Sequence, residues 1–176
     1  AVACMKTKSP VRLILNRIED MSSTTKRHPA FLKYKTALDK DNNIIGIDID
    51  IILNGGAYSS LSSVVLQRSL ICATGAYNIP NLKVHGKVVK TNTVPNGAFR
   101  GFGGPQSIFA IETHMNHIAK KIKVNPLEFK KKHFVKRGDD TATGGNFFYD
   151  VKLEEMVNKI ENMCDFSKKY IKNEIN

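Results

Sequence analysis

Two arginines stand almost alone in long uncharged stretches of this 176-residue chain. Arg68 is the only charged side chain in residues 51–82, and Arg100 the only one in residues 91–111. At the overall 24 % charged content, ordinary composition would put about eight and about five charges there. Segments so poor in charge are expected to be kept dry. Arg68 falls in the middle of an expected helix, on the same face as Val64 and Ile71. A guanidinium in that setting needs a carboxylate, carbonyls or a ligand, because an unpaired buried charge is costly. Its planar fork of donors suits a carbonyl or oxyanion. An internal salt bridge and a ligand contact both satisfy this reasoning.

Arg100 lies within Asn96-Gly97-Ala98-Phe99-Arg100-Gly101-Phe102-Gly103-Gly104-Pro105-Gln106. Four glycines within residues 97–104 let the main chain approach something closely, and Phe99 and Phe102 are out of place in a loop unless buried or facing a flat ligand. The loop runs into a helix N-terminus, which favours negative charge. It is a candidate cofactor loop, although a tight strand-to-helix connection accounts for the same residues. Neither common phosphate loop fits: Gly104 is followed by Pro105-Gln106 rather than Lys-Ser/Thr, and a dinucleotide pattern from Gly101 ends on Gln106.

Other constellations carry less. His114 and His117, with Lys121, lie opposite an apolar helix stripe and are expected to face solvent, so no metal site is assigned. Glu19 and Asp20 are expected to pair locally with Arg17, and His28 before Pro29 reads as a turn residue. Asp39, Asp41 and Asn43 are spaced like calcium-loop ligands, but Ile44 stands where the loop needs glycine. Cys4, Cys72 and Cys164 include no C-x-x-C pair and read as reduced thiols of a cytoplasmic protein.

The elements that must position these residues follow from periodicity. Residues 11–17 are β-rich and nearly alternating, which predicts a strand ending in a polar loop. Residues 31–38 and 44–53, joined at Asp41-Asn42-Asn43, predict a β-hairpin with Ile45, Ile47, Ile49 and Ile51 on one face. Residues 60–74 predict a largely buried helix ending at Gly75, and residues 82–93 a strand pair or one long strand. Pro105 opens a helix whose stripe is Ile108, Ile111, Met115, Ile118 and Ile122. Asn125-Pro126-Leu127-Glu128 starts a short helix with exposed lysines, and residues 151–163 a last helix with Val151, Leu153, Met156, Val157 and Ile160 inward. The fold class is α+β: a small mixed or antiparallel sheet with a β-hairpin, packed by about four helices.

Composition sets the bounds. The 41 % hydrophobic content is that of a globular protein, and residues 1–176 suit one domain or a fragment of one. No apolar run is long enough to span a membrane. The Ala-Val-Ala-Cys opening carries no initiator Met and no secretion pattern, and suggests an excised piece. A net charge of +11 raises a basic nucleic-acid-binding module as an alternative, centred on residues 120–137. Against it, only six of the 27 basic residues are arginines, and no aromatics interleave with the cluster.

Phe99-Arg100-Gly101-Phe102-Gly103-Gly104-Pro105-Gln106 resembles a signature of the molybdenum hydroxylases, in the molybdopterin-binding region of the xanthine dehydrogenase and aldehyde oxidase family. Pro10-Val11-Arg12, Arg17-Ile18-Glu19-Asp20-Met21, Arg27-His28-Pro29, Tyr77-Asn78-Ile79-Pro80-Asn81 and Lys90-Thr91-Asn92 resemble the family in order and spacing. The resemblance implies a fragment of a molybdopterin-binding domain, with Ala98, Phe99, Arg100 and Gly101 against a molybdenum–molybdopterin cofactor. It implies that Phe102 stacks on a flat substrate and that Arg68 stabilises charge developing on a purine such as xanthine or hypoxanthine. Arginine at that place favours purine over aldehyde. Iron–sulfur (2Fe-2S) clusters and FAD would lie on other domains or subunits. The family's general-base glutamate has no counterpart here, so the chain alone is expected to be inactive.

Overall fold

The densest run of β-branched residues forms the middle strand of a three-stranded sheet in the computed structural model, which describes residues 1–174. The chain opens with two short helices, α1 (Val2–Thr7) and α2 (Arg17–Ser23). Strands β1 (Ala30–Leu38) and β2 (Ile44–Gly56) pair antiparallel. Helix α3 (Ser62–Ile71) then crosses over to β3 (Leu82–Lys90), which pairs parallel with β2, giving the order β1-β2-β3. A parallel pair cannot be closed by a tight turn, and α3 supplies the crossover. Next come α4 (Gly104–Lys121), α5 (Pro126–Lys132), α6 (Leu153–Cys164) and α7 (Phe166–Glu174). The α+β class and the hairpin are as expected. Seven helices occur among the described residues rather than about four.

Ile47, Ile49, Ile51 and Leu53 alternate into the core, where they meet Val65 of α3 and Ile111, Met115 and Ala119 of α4. Ile45 does not join them. Leu38 pairs with Ile44 and Ala37 with Gly46, so Ile45 is the extra residue of a bulge, and the alternation changes phase there. Ile44 turns inward and Ile45 is left exposed.

Other expectations fail for identifiable reasons. Residues 11–16 form no strand, because no other described strand lies beside them to complete a ladder. The polar residues expected to end that strand instead build α2: Asn16 Oδ1 accepts the Glu19 N–H, and Glu19 Oε2 accepts the Asn16 N–H. Asp20 pairs with Lys26 at 3.2 Å, so the expected local pairing with Arg17 is not seen. Helix α3 is buried along one face only, at Ser62, Val65 and Ser69, and exposes Val64 and Ile71. The stripe of α4 enters the core through Ser107 rather than Ile108, which is exposed.

Two of the lysines expected to be solvated on α5 are also largely covered. Lys130 pairs with Glu112 at 2.8 Å and Lys131 with Glu161 at 2.9 Å, tying α5 to α4 and α6. These pairs split the basic run 120–137. On α6, Met156 and Ile160 are exposed rather than inward. No helix among the described residues is long and apolar enough to cross a membrane.

His114 does not face solvent as its helix position predicts, but packs over β1. Its Nε2 lies 2.7 Å from Thr36 Oγ1, and its ring centroid is 5.3 Å from that of Tyr34. His117 remains exposed, and with His114, Phe31 and Phe109 it borders a groove of about 520 Å³ between β1 and α4. Burial lowers the pKa of His114, of buried His133 and of buried His28, since desolvation disfavours the imidazolium. A histidine whose folded pKa lies below its unfolded one contributes stability that is complete above the unfolded value and is lost as pH falls. Unfolding free energy should therefore drop below about pH 6.5. Denaturant titrations at stepwise lower pH check this, and a His114→Gln variant should show a shallower decline; a flat profile between pH 7 and 5 would contradict it.

Candidate functional site

Helix α3 and the loop before α4 meet through their smallest residues. Gly103 has φ 101°, and a Cβ on it would come within 2.2 Å of the Val65 carbonyl oxygen and 2.9 Å of the Ser69 nitrogen. Only glycine fits there, for conformation and for space. One turn further on, Ser107 Oγ lies 2.6 Å from Ser69 Oγ and 2.8 Å from the Ser69 carbonyl oxygen, so the buried hydroxyls satisfy each other across the crossing. At this glycine the loop therefore approaches the backbone of its own protein.

This joint brings Arg68 and Phe102 together. The guanidinium carbon of Arg68 lies 5.8 Å from the centroid of the Phe102 ring, within cation–π range. The pair is not enclosed. Arg68 is exposed, Phe102 is 38 % and Phe99 52 % accessible, and Arg68 shares its helix face with exposed Val64 and Ile71. The uncharged stretch 51–82 thus has two causes. Its first part belongs to the buried central strand, whereas its helical part forms an open apolar face with one cation on it. Arg68 makes no ion pair among the described residues, so the internal salt bridge is not what holds it.

The loop presents donors. The N–H groups of Ala98, Phe99, Arg100 and Gly101 make no hydrogen bond to any described residue, while the carbonyls of Phe99 and Gly101 accept from the N–H groups of Phe102 (2.6 Å) and Gly104 (2.9 Å). Behind the loop runs the segment Lys26–Arg27–His28–Pro29. Gly97 N–H donates to the Lys26 carbonyl at 3.0 Å, and Gln106 Nε2 donates to the His28 carbonyl at 3.2 Å. His28 Nε2 lies 2.7 Å from Ser62 Oγ in the first turn of α3. His28 is thus a buried strut between loop and helix, not a turn residue. Arg27 Nη2 donates to the Arg100 carbonyl at 2.7 Å, and its guanidinium lies over Phe99 at 5.1 Å. Arg27 Nη1 and Gln106 Oε1 are buried without a hydrogen-bond partner.

The structure therefore brings Arg68 to Phe102 and leaves the N–H groups of Ala98, Phe99, Arg100 and Gly101 without a hydrogen bond among the described residues. Arg27 and Gln106 have no local signal that sets them apart, although both, like His28, lie in segments that carry the family resemblance. Among the described residues no three of His, Cys, Asp and Glu cluster to hold a metal ion.

A family model described as "Molybdopterin cofactor-binding domain" matches residues 1–134. The chain is 43 % identical over 141 residues to the xanthine dehydrogenase of Calliphora vicina, covering 80 % of the chain and 10 % of that protein. Against aldehyde oxidase 3 of Mus musculus it is 37 % identical over 176 residues, covering 100 % of the chain and 13 % of that protein. Among solved structures, the aldehyde oxidoreductase of Desulfovibrio gigas superposes with a TM-score of 0.88 at 33 % identity, over 99 % of this chain and 19 % of that one. The chain thus spans a small part of the length of the proteins it matches. A Gly103→Ala variant should lose about 3 kcal/mol or more of stability through overpacking against α3. Equilibrium unfolding measures this; a loss under about 1 kcal/mol would mean the joint can relax.

Proposed function

Because the chain belongs to the molybdopterin cofactor-binding domain family, we propose that residues 1–176 are a piece of the molybdenum-binding part of a xanthine dehydrogenase-like hydroxylase. In this reading the substrate is a purine such as xanthine or hypoxanthine. The remainder of the molybdopterin domain, together with 2Fe-2S and FAD domains or subunits, completes a cytoplasmic enzyme. The observation that carries the purine reading is the Arg68 guanidinium over the Phe102 ring, on the face of α3 that also exposes Val64 and Ile71.

The residues fit the cofactor. A pterin bearing phosphate and oxygen ligands is rich in acceptors, and the loop offers the free N–H groups of Ala98, Phe99, Arg100 and Gly101. Gln106, whose Oε1 is buried without a hydrogen-bond partner, stands two residues into the helix that the loop opens. When bound, molybdopterin with its metal supplies the two-electron oxidation that hydroxylation with water requires. The chain's own residues bind and orient. Phe102 gives a flat purine an apolar face to lie on, and Arg68 at its edge donates to a ring carbonyl or ring nitrogen where negative charge accumulates. Once the rest of the enzyme covers this face, the Arg68 guanidinium, which no carboxylate of the described residues pairs with, acts strongly on that charge.

A second reading, hydroxylation of an aldehyde or another N-heterocycle, draws support from the likeness to the aldehyde oxidase and aldehyde oxidoreductase above. Arg68 separates purine from aldehyde, since oxidation of an aldehyde carbon builds no negative charge on a heterocyclic ring. In the complete enzyme Arg68→Met should lower kcat/KM for xanthine by about 10²-fold or more, while turnover of an aromatic aldehyde changes little. Steady-state kinetics with both substrates decide it. Equal losses on both, or a wild-type enzyme inert toward purines, would reject the purine assignment.

A further inference from the structure

We infer that Arg27 is a positioning residue: it fixes the Arg100–Gly101 peptide plane, next to the plane that the Phe102 N–H holds, and so aims the Gly101 N–H of the loop. The inference rests on the reading of that loop as a cofactor cradle. Arg27 is unlike a charge-neutralising arginine. It makes no ion pair among the described residues, and its only hydrogen bond is to a peptide oxygen 73 positions away, the carbonyl of Arg100 at 2.7 Å. The same guanidinium lies over the ring of Phe99 at 5.1 Å, so one side chain grips two successive loop residues.

Peptide geometry turns that grip into aim. A trans peptide is planar, with its C=O and the following N–H pointing in opposite directions. Drawing the Arg100 carbonyl toward Arg27 therefore turns the Gly101 N–H the other way, away from Arg27. The neighbouring plane is set likewise, because the Phe99 carbonyl is held by the Phe102 N–H and the Arg100 N–H must oppose it. The anchor itself is firm: Lys26 bridges to Asn96, its carbonyl accepts from the Gly97 N–H, and the next residue, His28, is buried on Ser62. A lysine in place of Arg27 keeps a cation for Phe99 and a single donor but loses the planar fork.

The test uses the complete molybdenum enzyme carrying Arg27→Met or Arg27→Lys. Amide hydrogen exchange is read at Phe102 and Gly104, whose N–H groups close the loop, and pterin and molybdenum content are measured after gel filtration. Arg27→Met should speed exchange at both amides by about 10-fold, the scale of one lost charge-assisted hydrogen bond. Exchange in β1 and β2 and the thermal midpoint should stay unchanged. Cofactor content should fall, KM for the purine should stay within about twofold because Arg68 and Phe102 are untouched, and Arg27→Lys should recover part of the loss. Unchanged exchange in both variants overturns the inference whatever the cofactor content. Faster exchange with full cofactor retention upholds the clamp and defeats the cradle reading instead, so the two failures are distinguishable. Should the Met variant not fold, the Lys variant gives the same readings at reduced amplitude.

Discussion

Everything at the candidate site depends on how closely the loop before α4 approaches the main chain of α3. That approach is set by the absence of a side chain at Gly103, whose Cβ position would lie 2.2 Å from the Val65 carbonyl oxygen. With Ser69 and Ser107 interlocked one turn away, the two helices cross on small residues and cannot slide without leaving buried hydroxyls unsatisfied. Phe102, next in the chain to Gly103, is thereby delivered to Arg68 on the exposed side of the same helix. The cation–π contact is weak at an exposed position, about 0.5–1 kcal/mol. It is a consequence of the joint rather than its cause.

The joint is anchored in turn to the sheet. Central strand β2 carries the isoleucines that bury both α3 and α4, and its far end is tied to the loop: Asn96 donates from its backbone N–H to the Gly55 carbonyl and from Nδ2 to the Asn54 carbonyl. Asn54 N–H in turn donates to the Pro29 carbonyl, which brings the Arg27–His28 segment up behind the loop. Core, strand end, supporting segment and loop therefore form one continuous chain of contacts. Rigid backing of this kind is what lets free N–H groups keep their direction without a ligand to hold them.

The open, uncharged face around Arg68 gives the unusual charge distribution a different meaning from the one composition suggests. By composition alone, few charges imply burial within the chain. In the fold, Val64 and Ile71 are exposed on the helix face of Arg68, Phe99, Phe102 and Ile108 are each exposed, and apolar residues of α1, α2 and the segment between them are exposed too. Contiguous exposed apolar surface marks regions of contact, in keeping with a chain that spans 10 % of one and 13 % of the other of the two curated relatives above.

Local patterns settled much by themselves. The β-hairpin, a further strand within residues 82–93, the proline-led starts of α4 and α5 and the isolation of Arg68 and Arg100 in sequence are all legible, because periodicity, caps and charge depletion are properties of neighbouring residues. Tertiary structure alone decided the rest. It left residues 11–16 without a partner strand, turned Ile45 outward through a bulge, buried Ser107 in place of Ile108, and took His28 and His114 from turn and solvent into packed positions. Above all it set Arg27 against a peptide 73 residues away. Each of these depends on which distant backbone arrives at a given point, and no spacing along the chain encodes that.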